Sequence, residues 1–209
     1  MTLSYNQVAG RRLDRIAALS DGVFAIAMTL IVFEIRVPDV GPIHSEQDLW
    51  NALLGLSPRL VTYLLSFLTL GIFWNGQQTQ LNYFAKADRD LTWIQLGFLA
   101  AVALMPFSTS LLAEFISFRL ALLAYWANIV LLGLLLYAAL AYASRGGLLS
   151  EDAGSAASAL IRRRIVVAQA LYAFGALLCV VSTYWSIAFI VLVQLNFAIA
   201  PRIPVLSRL

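Results

Sequence analysis

Apolar residues along this chain come in long unbroken runs separated by short polar stretches, not in the alternation of strands or the half-apolar stripe of soluble helices. The first run spans about Ala17 to Val37 and stops at Pro38. A second covers Ser57 to Gln80, a third Thr92 to Ala113, and a fourth Arg119 to Ala143. The stretch from Ile165 to Ala200 holds no charged residue and is too long for one span, so Ser182-Thr183-Tyr184 is read as dividing a fifth from a sixth. Twenty-one residues from Ala17 to Val37 make about 31 Å of helix, enough to cross a bilayer. Between the first two runs, Ser45-Glu46-Gln47-Asp48 has the pattern of an N-cap before Leu49-Trp50-Asn51-Ala52-Leu53-Leu54, which predicts a short interfacial helix. Gly146 to Ser158 reads as a mobile loop of small residues.

Composition agrees with these runs: 61% of the 209 residues are hydrophobic and 12% charged, with a mean hydropathy of +0.83. A soluble domain carries roughly 25% charged residues. The net charge of +3 does not point to nucleic acid, because the basic residues sit at the ends of the runs. With the N-terminus in the cytoplasm, Arg11, Arg12, Arg15, Lys86, Arg89, Arg145, Arg162, Arg163, Arg164, Arg202 and Arg208 lie inside. Only Arg36, Arg59 and Arg119 lie outside. That asymmetry places both termini inside, with an even number of spans. Ala25-Ile26-Ala27 has the form of a cleavage site, but the apolar run continues through it, so no signal peptide is expected. One cysteine, Cys179, and one histidine, His44, exclude an internal disulfide and leave no zinc cluster or Ser-His-Asp triad to assemble.

The first run differs from the rest because it carries Ser20-Asp21 more than a turn inside the span. A carboxylate there is costly and faces protein or water. On a helical wheel, Leu19, Gly22, Leu30, Phe33 and Val37 fall within about 40° of Ile26, and Thr29 about 60° away. Ser20 lies about 120° away and Asp21 about 140°. One face is therefore lined by Gly22, Ile26, Thr29, Leu30 and Phe33, while the opposite face must bury a carboxylate against other helices of its own bundle. Trp74, Asn75, Gln77 and Gln95 offer donors for it, and Arg15 is placed to reach in from the inner end. Periodicity by itself does not separate a pore-facing stripe from one that faces lipid or core, and a threonine hydroxyl in a span often bonds back to a carbonyl one turn earlier, here that of Ala25.

The residues Arg15-x-x-x-Leu19-Ser20-Asp21-Gly22-Val23-Phe24-Ala25-Ile26-Ala27-Met28-Thr29-Leu30 resemble the signature first helix of the transmembrane protein 175 family of potassium channels, whose pattern is Arg-x-x-x-Phe-Ser-Asp followed by Gly-Val-Phe-Ala-Ile-Ala. Phe73-Trp74 and Leu104-Met105-Pro106-Phe107 extend the similarity over about the first half of the chain. The family lacks the TVGYG filter, and none occurs here. Leu19 replaces the family phenylalanine, Gln77 a frequent histidine, and Gln95 an asparagine, which leaves a polar network without histidine.

The resemblance implies an all-α integral membrane bundle of six transmembrane helices, one domain over residues 1–209, assembled as a homotetramer around a central pore. Four first helices would line the pore, with the narrow ring at Ile26, Leu30 and Phe33 outward of it, and hydroxyls from Thr29 and the small Gly22 beside it. Arg15, Ser20, Asp21, Trp74, Gln77 and Gln95 would form a structural polar network. The implied function is a potassium-permeable cation channel in the bacterial inner membrane. It would not be an enzyme and would need no cofactor. Its partners would be the lipid bilayer, further copies of the chain and monovalent cations, and not nucleic acid. The competing expectations are a secondary transporter, favoured by a break at Pro106 but lacking internal repeats, and a membrane-embedded enzyme, which would need a second buried acid or base near Asp21.

Overall fold

A computed structural model describes residues 12–39, 41, 43–150 and 155–199. The two termini, with Arg11, Arg202 and Arg208, and residues 151–154 of the small-residue loop lie outside the described residues.

The first run forms α1, Leu13–Leu30, continued by a 3-10 turn at Ile31–Glu34. The interfacial helix is present as α2, Glu46–Gly55, and Ser45 caps it by accepting from the Asp48 N–H at 3.1 Å. The Ser45 hydroxyl returns a bond to the Asp48 carboxylate at 2.7 Å. That bond, and then the His44 N–H, hold this exposed carboxyl below its usual range. α3, Ser57–Tyr83, follows with Pro58 in its first turn, where a missing N–H costs nothing.

The third run is two helices, α4 at Arg89–Ala103 and α5 at Met105–Glu114. Pro106 lacks the N–H that would continue the ladder. The break is nevertheless closed by backbone bonds from Leu104 N–H to Ala100 and from Ser108 N–H to Leu104. α6 is Arg119–Arg145 and α7 is Ser155–Leu177, which ends in a 3-10 turn at Leu178–Val180. α8 is Thr183–Ile199. The turn before Thr183 falls where the polar triplet divides the last apolar stretch.

Among the described residues, five segments are long and apolar enough to cross a membrane: Leu13–Glu34, Ser57–Tyr83, Arg89–Glu114, Arg119–Arg145 and Ala157–Val180. Thr183–Ile199 is a shorter apolar helix of 17 residues. Among the described residues there is no strand, only an isolated antiparallel bridge between Phe84 and Leu149. That bridge, with Ala85 N–H to Leu148 and Ser150 N–H to Tyr83, ties the α3–α4 and α6–α7 loops together on one side of the bundle. Ile16 packs there too, in a cluster with Leu81, Phe84, Leu91, Leu140 and Leu148, so α1 begins on the same side.

The helices close into a ring. α1 packs on α3, α4 and α5, α4 and α5 on α6, α6 on α7, α7 on α8, and α8 back on α3. The centre of the ring is filled by buried Phe24, Leu65, Phe98, Met105, Leu122 and Ile129. Large apolar residues such as Trp93, Phe107, Leu134 and Leu192 point outward, as hydrocarbon solvent permits.

Candidate functional site

α1 divides its residues by angle as the wheel predicts. Ile16, Ser20, Phe24, Ala27 and Ile31 are buried against the neighbouring helices. On the other side Leu19, Ile26, Leu30 and Phe33 are uncovered by the chain itself, Ile26 being 61% exposed and Phe33 72%. A side chain added at Gly22 would meet nothing within 4 Å, so within one chain this glycine faces open space. Residues 22, 26, 29, 30 and 33 thus form a continuous uncovered stripe.

Thr29 is exposed on this stripe, and its hydroxyl donates back to the carbonyls of Ala25 and Ile26, both at 2.9 Å. The back-bond to Ala25, one of the two roles considered from sequence, is thus present. The back-bond uses the hydroxyl proton, whereas a cation is bound by oxygen lone pairs, and those stay free to face outward.

The polar residues divide into two clusters. Buried Ser20 donates to the Gln77 side-chain carbonyl, and the Gln77 amide donates to Gln95 at 2.7 Å. This chain joins α1, α3 and α4 through the interior. Asp21 is not part of it. One oxygen of its carboxylate accepts from the Trp74 indole at 2.8 Å and from the Gln78 amide at 2.9 Å, at the chain surface.

This corrects the expectation that Asp21 is buried by helices of its own bundle. Successive residues differ by about 100° around a helix. Ser20 and Asp21 therefore face different surroundings, and so do their partners Gln77 and Gln78. Gln78 was missed, although it lies four residues after Trp74 and shares its face. The structure also leaves Arg15 out of the network. It is exposed, has no side-chain partner among the described residues, and lies about 20° from Ile26 on the wheel, at the inner end of the uncovered stripe. Asn75 is exposed and does not reach Asp21.

Asp21 borders a cleft of about 650 Å³ whose walls include Phe24, Met28, Phe67, Trp74 and Arg164. At the opposite end of α1, Ser110 donates to the Glu34 carboxylate at 2.8 Å. Arg59 donates to the Glu34 carbonyl at 3.2 Å and pairs with Glu114 at 2.6 Å. α1 is thus anchored by polar contacts at Ser20, Asp21 and Glu34 while its aliphatic stripe is left bare.

A further polar cluster was not found from sequence. Ser66, Thr69, Thr109, Tyr125 and Gln194 are buried and mutually bonded, with Thr109 to Ser66 at 2.7 Å, Thr69 and Tyr125 hydroxyls 2.9 Å apart, and Gln194 to Thr69 at 2.5 Å. Ser66, Thr69, Tyr125 and Gln194 each stand alone within an apolar run and Thr109 lies in a Ser-Thr-Ser triplet, and only their convergence marks them. They hold α3, α5, α6 and α8 in register away from the α1 stripe. Among the described residues no three His, Cys, Asp or Glu side chains are grouped to hold a metal ion.

Residues 15–106 match the family model for the endosomal/lysosomal potassium channel TMEM175. A potassium channel of Streptomyces collinus is 42% identical over 103 residues, covering 49% of this chain and 48% of that one. A potassium channel of Chamaesiphon minutus is 38% identical over 102 residues, 49% of this chain and 50% of that one. The human endosomal/lysosomal proton channel TMEM175 is 33% identical over 98 residues, 44% of this chain and 19% of that one. The chain spans about half the length of the curated bacterial relatives it matches. In three dimensions it is similar to the crystal structure of a lysosomal potassium-selective channel TMEM175 homolog from Chamaesiphon minutus. The TM-score is 0.79 at 26% identity, over 91% of this chain and 98% of that one.

Proposed function

This chain belongs to the TMEM175 family, and from that premise we propose that four copies assemble into a potassium-permeable cation channel whose pore is lined by α1. The observation that carries the proposal is the uncovered stripe of Gly22, Ile26, Thr29, Leu30 and Phe33 on a helix pinned from behind by Ser20, Asp21 and Glu34. One chain leaves that stripe bare, and cyclic symmetry would gather four copies of it around an axis.

The whole chain acts as one six-helix domain in the bacterial inner membrane, with Arg12, Arg15, Lys86 and Arg145 on the cytoplasmic side. The Ile26 ring is the constriction, closing by dewetting. The pore needs no cofactor and performs no catalysis; potassium ions pass through it. Bacterial relatives named potassium channels support potassium over protons as the main permeant ion.

The direct test is purified protein in potassium-loaded vesicles. Passive potassium flux down its gradient is expected, and concentrative, saturable uptake would make the protein a transporter instead.

Selectivity is modest, because a ring of aliphatic side chains with one hydroxyl layer replaces less of an ion's hydration shell than stacked carbonyls do. Thr29 supplies that layer, its oxygen held by the Ala25 and Ile26 carbonyls. Thr29→Val keeps the shape and removes the oxygen. It should shift the bi-ionic potassium/sodium reversal potential toward equal permeability while the assembly elutes unchanged. Identical reversal potentials would leave the hydroxyl with the helix backbone alone.

A further inference from the structure

Arg164 stands in α7 at the end of the Arg162-Arg163-Arg164 run, directly before the uncharged stretch that begins at Ile165. It is exposed and has no ion pair among the described residues. Its guanidinium carbon lies 5.7 Å from the centre of the Phe197 ring. Asp21 borders the same wide cleft but lies beyond ion-pair distance, with one carboxylate oxygen already engaged by Trp74 and Gln78. An exposed guanidinium without a carboxylate partner, at the cytoplasmic end of the span, attracts an anion.

Arg164 also opens a second cavity of about 120 Å³ between α3, α6 and α7. Its walls include Phe73, Gly76, Leu136 and Ala168, and it reaches Gln169 and Tyr172. Tyr172 is 1% exposed. Its hydroxyl and the Gln169 side-chain carbonyl have no hydrogen-bond partner. Both residues line the cavity, whose other walls are mostly apolar. A cavity of about 150 Å³ accepts a molecule the size of benzene, so the space suits a segment of hydrocarbon chain. From Arg164 to Tyr172 is about 12 Å along α7. The result is a slot with a cation at its mouth, apolar walls, and a phenol at its depth.

We propose that Arg164 and this slot form a binding site for an anionic phospholipid of the cytoplasmic leaflet, its phosphate held by the guanidinium and part of one acyl chain lying along α7. Arg matches phosphate with two parallel N–H bonds. Arg162 and Arg163 are exposed beside it on the cytoplasmic side and raise the local anion concentration without lining the slot. The proposal rests on the orientation given above and not on conduction, so a chain that passes no ions could still bind lipid, and a conducting chain could fail to.

The test is native mass spectrometry of the assembled protein with added phosphatidylglycerol or phosphatidylcholine. Wild type should retain phosphatidylglycerol in preference to phosphatidylcholine. Arg164→Gln should weaken that retention roughly tenfold or more, as expected on losing a charge-assisted pair. Ala168→Trp, which fills the slot and keeps the charge, should weaken it as well, and Arg163→Gln should leave it within about twofold, as a flanking exposed charge does. If Arg164→Gln fails to assemble, Arg164→Lys takes its place, and the loss of the paired bonds should still weaken binding several-fold. Unchanged retention in the Arg164 variant overturns the proposal. So does equal loss in Arg163→Gln, which would mean diffuse surface charge, and so does full retention in Ala168→Trp, which would leave the slot empty of chain. Displacement of the lipid by inorganic phosphate at equal concentration would make this a site for free anions and would also overturn it.

Discussion

Ile26→Asn is expected to raise potassium flux through the assembled protein by roughly tenfold or more. Ile26 is the central residue of the uncovered α1 stripe and is 61% exposed in the single chain. Four isoleucine side chains converging on an axis would exclude water from the narrowest point, and the barrier there is the cost of drying an ion's path. Four amides hydrate that point. Lowering such a barrier by about 1.4 kcal/mol already gives a tenfold rate. The measurement is flux in potassium-loaded vesicles, with size-exclusion chromatography showing intact assembly. Unchanged flux in assembled Ile26→Asn would mean that the stripe faces lipid or a neighbour, and the constriction would have to be placed elsewhere.

Asp21→Ala should act on assembly and leave the pore's ion preference alone. Asp21 lies about 140° from Ile26 around the helix, and accepts from Trp74 and Gln78 at the edge of the wide cleft. Asp21 is exposed in one chain beside a largely apolar cleft, and in the proposed tetramer a neighbouring copy would enclose it. Removing the acceptor leaves the indole and an amide donor unpaired in that junction, at a cost of about 1–3 kcal/mol per copy, repeated in each subunit. The expected result is a lower melting temperature and a shift from tetramer to smaller species by light scattering. Trp74→Phe, which removes one of the two donors, should show a smaller shift in the same direction. A stable tetramer with altered potassium/sodium preference would instead place Asp21 in the conduction path.

Much of this was legible in the sequence, and the reasons are local. The helical runs follow from apolar length, because in hydrocarbon a backbone must satisfy its own polar groups. The α2 cap at Ser45 and the turn before Thr183 are decided by a few neighbouring residues. The division of α1 into a buried face through Ser20 and Phe24 and a bare one through Ile26 and Phe33 follows from a rotation of about 100° per residue, which the sequence counts directly. The family signature from Arg15 to Leu30 is likewise a matter of consecutive residues.

What the tertiary structure alone decided is which side chains meet. Gln78, and not Gln77 or Asn75, reaches Asp21. Gln77 turns inward to Ser20 and Gln95, Arg15 stays outside the network, and the buried cluster around Tyr125 gathers residues from four helices. Such pairings depend on the height and rotation of one helix against another. Those are fixed by the packing of the whole ring, and a rotation of one residue step exchanges a buried partner for an exposed one. A one-dimensional pattern gives each helix its faces but carries no information on how two helices are set against each other, so the networks could be anticipated by residue type and assigned only from the fold.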